Sequence, residues 1–333
     1  MFKAVSRAAA RCALLSPVFC AALAAVPSSA LAAEPAYPTE RPITLVLAYP
    51  PGGGVDTVGR LLARQLENTL GQTVVVENRP GAGSIIGTNA VTRAKPDGYT
   101  LLLADPALVI NPSLMASVPY EVKRDLAPVS TVTKSPLVLA VPVSSKIQSL
   151  GDLIAAGASG GASLNYASAG LGTTPHMSGE LLTLRTKGKF THIPYKGSGP
   201  AMTDLISGQV DFAFATAPAT IQYISQGRLR GLAVTGTERS KFLSDLPTVA
   251  ETLPDFGVYF WTALFAPAKT PAPVLDKLNA AVKSALDSAD MKAALERAGE
   301  TGSYMTLAQT ADFVDSETAT WKKVVTDGKI KPD

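Results

Sequence analysis

The stretch AYPPGGGVDTVGR, residues 48–60, joins two patterns of different kinds. The apolar run that leads into it, ITLVLAYP at 43–50, is typical of a buried strand, and the apolar spacing after it predicts a helix over about 55–70. A glycine turn between a strand and a helix exposes backbone N–H groups at the positive end of the helix, where anions bind. The stretch therefore leaves three possibilities open: a nucleotide site, a catalytic site, or a site for a small anion.

Strand-like and helix-like segments continue to alternate along the chain. We predict further strands at 73–78, 99–105, 129–142, 165–168, 191–195, 210–215, 229–235 and 260–267. Helical patterns separate most of them, and three helices are predicted near the end of the sequence, at about 271–287, 290–298 and 307–327. This alternation predicts an α/β fold in which mainly parallel sheets carry helices on their faces.

The alternation falls into two blocks, which predicts two α/β lobes. The first lobe is predicted to comprise residues 33–136 and 267–333, and the second residues 137–266. Extended segments at 137–142 and 260–266 are predicted to cross between the lobes as hinges. Ligands of such folds bind beyond the carboxyl ends of the strands, where the connecting loops converge. We therefore expect a ligand cleft between the lobes.

The first 32 residues are predicted to be a secretory signal peptide. They carry a basic start with Lys3, Arg7 and Arg11, an apolar run at 13–26, and an A-x-A pattern that ends at Ala32. Cleavage is expected between Ala32 and Ala33, which indicates a periplasmic protein. A lipoprotein acylated at Cys20 is the alternative, but the residues just before that cysteine are not the small ones that such a site requires.

Composition excludes several classes of function. Both cysteines, Cys12 and Cys20, lie in the predicted signal peptide, so the mature chain is expected to lack disulfides and thiol chemistry. Removal of the three basic residues of the signal peptide takes the formal net charge from +3 to zero. A neutral chain gives no indication of nucleic-acid binding or of a polybasic membrane surface.

Known cofactor and metal patterns are also incomplete. Gly52 and Gly54 are followed by Thr57 where a dinucleotide fingerprint requires glycine, and no P-loop pattern occurs. The chain has only two histidines, which is too few for a common zinc site. We therefore predict neither a cofactor nor a metal. An exported hydrolase that uses Ser168 or Ser198 with His176 remains the alternative, although no acidic partner for the histidine is evident.

Three glycine loops share one arrangement. The PPGGG loop leads to Asp56, which we predict to be the N-cap of the following helix. The SAGLGTT loop at 168–174 leads to Pro175, and the KGSG loop at 196–199 leads to Pro200, and proline suits the start of a helix. Glycine lets a backbone approach a ligand closely. The three loops together indicate an anion site that needs no ionisable side chain.

Longer segments resemble the substrate-binding proteins of tripartite tricarboxylate transporters, often called Bug proteins. The resemblance runs in order over nearly the whole mature chain, and its most specific segments are YPTERPITLVLAYPPGGGVDTVGRLLA, VVVENRPGAGSIIGTNAV, ASAGLGTTPHMSGEL and PYKGSGPAMTDLISGQVDFAF. It implies a two-lobed fold similar to the type II periplasmic binding proteins. It also implies a receptor without enzymatic activity that captures a small carboxylate for membrane permease subunits.

The resemblance implies di- or tricarboxylates, aromatic acids or amino acids as ligands, and we expect a monomer. After VDFAF the chain reads ATAP where many relatives carry Asp or Asn, which favours a simple carboxylate over an amino acid. A receptor that signals to a membrane sensor is a further alternative. The loops and the resemblance together predict these ligand-binding residues: Tyr49, Pro51, Gly52, Gly53, Gly54, Asp56, Asn111, Ser168, Ala169, Gly170, Gly172, Thr173, His176, Tyr195, Lys196, Gly197 and Thr216.

Overall fold

The structure is a computed structural model that describes residues 37–159, 161 and 163–332. The predicted signal peptide lies outside the described residues. The strands are β1 Ile43–Leu47, β2 Val74–Asn78, β3 Thr100–Ala104, β4 Leu126–Pro142, β5 Leu164–Ser168, β6 Phe190–Pro194, β7 Phe212–Thr216, β8 Leu229–Val234 and β9 Tyr259–Pro267. Each strand predicted from the sequence is present, with bounds that shift by a few residues at most.

Eleven α-helices and a short 3₁₀-helix, Val249–Glu251, lie among the described residues. The α-helices are α1 Gly54–Leu70, α2 Ile85–Thr92, α3 Ala107–Leu114, α4 Val122–Asp125, α5 Leu150–Ala158, α6 Thr174–Thr186, α7 Ser198–Ser207, α8 Ala217–Ser225, α9 Ala272–Asp287, α10 Ala289–Ala298 and α11 Leu307–Gly328. The sequence patterns did not predict α3 or the single turn α4. No helix in the described part of the chain is long and apolar enough to cross a membrane.

The strands form one mixed sheet in the order β2-β1-β3-β9-β4-β7-β5-β6, with β8 also paired to β4. Strand β1 is parallel to β2 and β3, and β5 is parallel to β6 and β7. Strands β4 and β9 run antiparallel to their neighbours. The predicted α/β class is therefore confirmed, and the sheet is mixed because these two strands reverse direction in its middle.

Strand β4 divides the sheet into two regions. Its residues from Leu126 to Pro136 pair with β9, whereas its residues from Leu137 to Pro142 pair with β7 and β8. We call β1, β2, β3 and β9 with their loops region A, and β5 to β8 with their loops region B. The division of the chain into two lobes at these crossing strands stays a prediction.

The core follows the apolar pattern of the sequence. Consecutive residues of β1 and β3 are buried, Leu45 to Leu47 and Leu101 to Leu103, so both faces of these strands are covered. Helix α1 buries Val58, Leu62 and Leu66 along one stripe, as its periodicity predicts. Trp261 on β9 is fully buried, and its indole Nε1 donates to Glu317 Oε2 at 2.8 Å. This packing fixes the strand ends from which the glycine loops emerge.

Candidate functional site

A small cavity of about 20 Å³ lies between regions A and B, at the carboxyl ends of five strands. This volume accommodates about one water molecule. The two regions therefore meet as a closed cleft. Residues from both regions line the cavity: Tyr49, Pro50, Gly53, Gly54, Val55 and Asp105 from region A, Phe260 from β9, and Ala169, Thr173, Pro175, Ser198 and Thr216 from region B.

Four helices begin at this cavity. The N-caps of α1, α6, α7 and α8 are Gly53, Thr173, Gly197 and Thr216, and none of them caps its helix with a side-chain hydrogen bond. First-turn N–H groups lack partners within their own helix, and each helix adds partial positive charge at this end. Among the described residues that line the cavity, none is lysine, arginine or histidine. Positive potential at the cavity therefore comes from backbone dipoles.

Buried polar atoms without an aligned partner lie in the cavity and in the segments beside it. The hydroxyls of Tyr49, Ser84 and Thr216 are buried, and none forms a well-aligned hydrogen bond with the described residues. The amide Oδ1 of Asn111 is likewise unpaired, although its Nδ2 donates to the Gly83 carbonyl at 2.7 Å. Buried polar groups nearly always have partners in folded proteins. A cluster of unpaired ones, next to four helix N-termini, is typical of a polar binding site.

The two regions touch closely enough to restrict side chains. A Cβ atom at Gly54 would lie 2.6 Å from Thr216 Oγ1, across the cleft. Only glycine therefore fits where α1 approaches the start of α8. This close approach brings the first turns of the two helices to opposite sides of the cavity.

Asp105 is a cavity residue that the sequence reasoning missed. It directly follows β3, is 3 % exposed, and its Oδ1 accepts the Ala107 N–H at 3.2 Å. Burial raises the pKa of its carboxyl to about 7, and the adjacent Tyr49 hydroxyl offsets only part of this effect. The tyrosine pKa is itself raised, mainly by burial and further by the Asp105 charge. The only sequence signal was the position of Asp105 after a buried strand.

Ser84, Ser198 and Phe260 were also absent from the predicted ligand-binding residues. Ser84 lies in the loop before α2, Ser198 begins α7, and Phe260 lies on β9 beside the cavity. The sequence favours a simple carboxylate over an amino acid because no acidic or amide residue follows β7. The Asp105 carboxyl, on the opposite side of the cleft, is an acceptor that could take the place of such a residue.

The prediction for Asp56 needs correction. Helix α1 begins at Gly54 with Gly53 as its N-cap, because Gly53 adopts the extended conformation that an N-cap requires. Asp56 is the third helical residue, and its Oδ2 accepts the Gly52 N–H at 3.0 Å. Its Oδ1 accepts from Asn78 Nδ2 at 3.0 Å, and Arg60 forms an ion pair with it at 2.9 Å. The carboxylate holds the glycine loop through the Gly52 N–H, and it does not itself line the cavity.

This role predicts an effect of Asp56→Ala. Burial acts to raise the pKa of the Asp56 carboxyl, but hydrogen bonds from Arg60, Gly52 and Asn78 outweigh it and hold the pKa below its usual value. We expect the substitution to lower the free energy of unfolding by about 1–3 kcal/mol, measured by urea denaturation above about pH 6, where this carboxylate is ionised.

Asp152→Ala is the matched control for Asp56→Ala. Asp152 also lies in the first turn of a helix, α5, and its Oδ2 accepts the Gln148 N–H at 3.0 Å, but it is exposed and distant in the chain from the glycine loops. We expect a smaller loss than for Asp56→Ala, because this carboxylate has no arginine partner at its helix. Equal losses for the two variants would contradict the role assigned to Asp56.

The second loop is held by its own hydrogen bonds. Ser168 Oγ lies 2.7 Å from His192 Nε2 and accepts the Gly170 N–H at 3.1 Å. The Gly172 N–H donates to His176 Nδ1 at 3.2 Å, and the two imidazole rings stack with centroids 4.0 Å apart. Ser168 and His176 are buried and line neither cavity nor groove. The serine therefore pairs with His192, and not with His176 as the hydrolase alternative supposed.

A larger groove of about 670 Å³ adjoins the small cavity and shares Tyr49, Pro50 and Ala169 with it. Its other walls include residues 80–85 of region A and residues 194–197 of region B. The exposed Lys196 lies at its edge and supplies positive charge there. The groove is therefore the route by which a ligand would reach the cavity.

The predicted ligand-binding residues fall into three sets. Six line the small cavity: Tyr49, Gly53, Gly54, Ala169, Thr173 and Thr216. Four more line the adjoining groove: Gly170, Tyr195, Lys196 and Gly197. The remaining seven line neither: Pro51, Gly52, Asp56, Asn111, Ser168, Gly172 and His176. No group of three or more potential metal ligands occurs among the described residues.

The sequence matches, over residues 58–329, the family described as "Tripartite tricarboxylate transporter family receptor". The chain belongs to this family. Membership implies an extracytoplasmic location, and the predicted resemblance to the Bug proteins is confirmed. Family members are solute-binding receptors, so the prediction that the chain is not an enzyme is also confirmed.

Solved structures agree with this assignment. The periplasmic binding protein BugD is similar with a TM-score of 0.84 and 31 % identity, over 89 % of this chain and 100 % of that one. Rpa4515 of R. palustris, solved with adipate, has a TM-score of 0.86 and 32 % identity, over 89 % and 100 % of the two chains. MatC of Rhodopseudomonas palustris, solved with bound malate, has a TM-score of 0.81 and 32 % identity, over 86 % of this chain and 99 % of that one.

Proposed function

We propose that the chain is a periplasmic receptor that encloses a small dicarboxylate between regions A and B and delivers it to the permease subunits of a tripartite tricarboxylate transporter. The convergence of four helix N-termini on one cavity, whose described lining carries no cation, supports this proposal most directly. A helix N-terminus stabilises an anion by about 0.3–1 kcal/mol at an exposed site and by up to about 2 kcal/mol in a partly buried one. Four of them together suit one carboxylate group.

The ligand class rests on two supports. A dicarboxylate has a second charged end, which would lie toward the adjoining groove with the exposed Lys196 at its edge. The similar structures of Rpa4515 and MatC were solved with adipate and malate, which are both dicarboxylates. The predicted signal peptide would bring the receptor to the periplasm, where such a ligand is captured for transport.

Binding requires a change of conformation, because the cavity of about 20 Å³ is much smaller than a dicarboxylate. We infer that regions A and B separate as two lobes and close again over the ligand, as hinged binding proteins do. The backbone of β4 passes from one region to the other between Pro136 and Leu137, so a rotation there would open the cleft.

The proposal is tested by a thermal-shift screen of the mature protein. The panel contains succinate, malate, adipate, citrate, aspartate, glutamate and benzoate, with inorganic phosphate and glucose as contrasts. A ligand at about 100 times its Kd adds about 2.7 kcal/mol to the free energy of unfolding, which raises the Tm of a chain of about 300 residues by about 4 °C. We expect dicarboxylates to give the largest rise. A rise with phosphate or glucose but with none of the acids would overturn the proposal.

Thr216→Val is the matching site variant. Its hydroxyl is buried at the start of α8 without a partner, so its removal has little effect on stability. A hydrogen bond to a charged group contributes about 1.5–3 kcal/mol, so we expect affinity for the best acid of the screen to fall by roughly ten- to hundredfold, measured by calorimetry. Thr203→Val, at an exposed position on α7, is the control and should leave affinity unchanged.

A further inference from the structure

The Asp105 carboxyl lies in the cleft that is proposed to hold an anion, yet no cationic side chain lines the cavity among the described residues. The ionisable side chains that act on it from region A are Tyr49 and Tyr120, and both are neutral acids at ordinary pH. Among the described residues of region B that line the cavity, the polar side chains are the hydroxyls of Thr173, Ser198 and Thr216.

The other titratable groups near the glycine loops have separate partners. Asp56 is paired with Arg60, and the imidazole of His176 accepts the Gly172 N–H outside the cavity lining. Nothing among the described residues that line the cavity therefore neutralises an ionised Asp105. The groups that donate to it are the Ala107 N–H, at 3.2 Å from Oδ1, and the adjacent Tyr49 hydroxyl, and both are neutral.

A ligand carboxylate in the same cavity would face the Asp105 carboxyl directly. Two carboxylates of like charge in one desolvated site cannot both stay ionised, and such pairs retain one proton between them. The Tyr49 hydroxyl beside them can donate one hydrogen bond, but it cannot neutralise a second charge.

On the basis of the proposed function, we propose that Asp105 enters the closed cleft as the neutral acid and donates its proton to a carboxylate oxygen of the ligand. The proton comes from solvent, and no covalent bond forms or breaks elsewhere. Each ligand that binds from neutral or alkaline solution therefore takes one proton into the complex. On release, the proton and the ligand leave together.

The direction of the pKa shift of the Asp105 carboxyl agrees with this proposal. Burial in the closed cleft raises the pKa of its carboxyl to about 7 without any ligand, and a nearby anion raises it further. Opening of the cleft exposes the group and lowers its pKa again. Affinity is therefore greatest at low pH and, once Asp105 of the open protein is ionised, falls by up to about tenfold for each pH unit.

The proposal also distinguishes ligands. A neutral carboxylic acid donates to a carboxylate, whereas an ionised Asp105 would accept from the ammonium group of an amino acid. The two kinds of ligand differ in the number of protons taken up on binding. A ligand with an ammonium group would favour ionised Asp105 and would bind without proton uptake. Adipate has two carboxylates and no ammonium or hydroxyl group, so it is the appropriate probe.

Calorimetry of the intact mature protein with adipate tests the proposal. Titrations are made at several values from about pH 6 to about pH 9, each in two buffers with different heats of ionisation, so that the number of protons taken up is measured directly. We expect uptake that rises toward one proton per adipate at high pH, together with a falling affinity. Adipate binding without proton uptake, or with an affinity that rises with pH, would overturn the proposal.

Two variants locate the proton. Asp105→Asn has no proton to gain, so its affinity should be nearly independent of pH, about tenfold weaker than wild type near pH 6 and stronger than wild type near pH 9. Glu300→Gln is the control, because Glu300 is another buried carboxyl with a pKa raised by burial to about 7, yet it lies outside the cavity and groove. It should retain the uptake of the wild type.

Loss of the uptake in Glu300→Gln with its retention in Asp105→Asn would place the proton elsewhere and overturn the proposal. If Asp105→Asn fails to fold, the number of protons that the wild type takes up per adipate still tests the proposal. A wild type that binds none of the acids at any pH would overturn the proposed function. A wild type that binds adipate without taking up a proton would leave that function intact and remove only the role of Asp105.

Discussion

Gly83→Ala should weaken adipate binding by roughly ten- to hundredfold while the protein still folds. Gly83 lies in the loop before α2, has a φ of +57°, and supplies the carbonyl to which Asn111 Nδ2 donates. A Cβ at this position would overlap the backbone carbonyl oxygen of Leu171, which belongs to the second glycine loop in region B. Since a backbone atom cannot rotate away as a side chain can, the two loops would have to separate.

This overlap raises the free energy of the closed cleft but not that of the open one. Overpacking in a tight contact destabilises the packed state by about 1–3 kcal/mol, and an open cleft avoids it entirely. Ligand binding is proposed to require closure, so the whole cost reduces the affinity. Calorimetric titration with adipate measures the change, and urea denaturation measures the accompanying change in stability.

Gly71→Ala is the matched control for this prediction. Gly71 also has a left-handed conformation, with a φ of +67° at the end of α1, but a Cβ there would meet no atom within 4 Å. Both variants carry the strain of a left-handed alanine, about 1–2 kcal/mol. Only Gly83→Ala should lower the affinity. Equal affinities for the two variants would contradict the idea that this contact closes the cleft.

The strands and most helices could be predicted from the sequence because burial follows a simple pattern. Strands β1 and β3 are covered on both faces and read as continuous apolar runs, whereas α1 has a polar face and shows helical periodicity. Helix α3 was missed for a physical reason. It is buried over most of its length, contains Pro112, and has no polar face that could produce a periodic pattern.

The candidate site could be predicted only in part. The glycine loops were visible because turn residues act locally, and the structure brings parts of all three to one cleft. The pairing of Ser168 with His192 was not visible, because it joins neighbouring strands β5 and β6. The significance of Asp105 likewise depends on burial and on the absence of a nearby cation, and both arise only when the chain folds.

The second large effect concerns stability and pH. Glu300 follows α10, is 1 % exposed, and its Oε2 accepts from the Ser135 hydroxyl at 2.7 Å, while Oε1 has no aligned partner in the described chain. Burial raises the pKa of this carboxyl to about 7, and the hydroxyls of Ser135 and Thr133 counter only part of that rise. The folded protein therefore binds this proton more tightly than the unfolded chain does.

The sign of the effect follows from this difference. Between the unfolded pKa of about 4.5 and the folded pKa of about 7, the free energy of unfolding should fall as the pH rises, by up to about 1.4 kcal/mol for each pH unit. The contribution is complete below that window and lost above it. Asp105 acts in the same direction, because its folded pKa is also about 7. Carboxylates with lowered pKa, such as Asp125, act in the opposite direction but at lower pH.

Glu300→Gln replaces the carboxyl with a neutral amide of nearly the same shape. We expect its free energy of unfolding to fall less steeply than that of the wild type between about pH 5 and about pH 7, and to exceed the wild-type value near pH 8 by up to about 3 kcal/mol. Combining it with Asp105→Asn should remove most of the remaining slope. Urea denaturation at several pH values across this window measures each slope.

Glu296→Gln is the control, because Glu296 lies on α10, four residues before Glu300, but is exposed, with only a long ion pair of 3.9 Å to Lys241. Its stability should run parallel to that of the wild type, since an exposed ion pair contributes at most about 1 kcal/mol. If Glu300→Gln also ran parallel, Glu300 would be ionised in the folded protein throughout this pH window. Its buried charge would then need a cation, which the Ser135 and Thr133 hydroxyls beside it cannot supply.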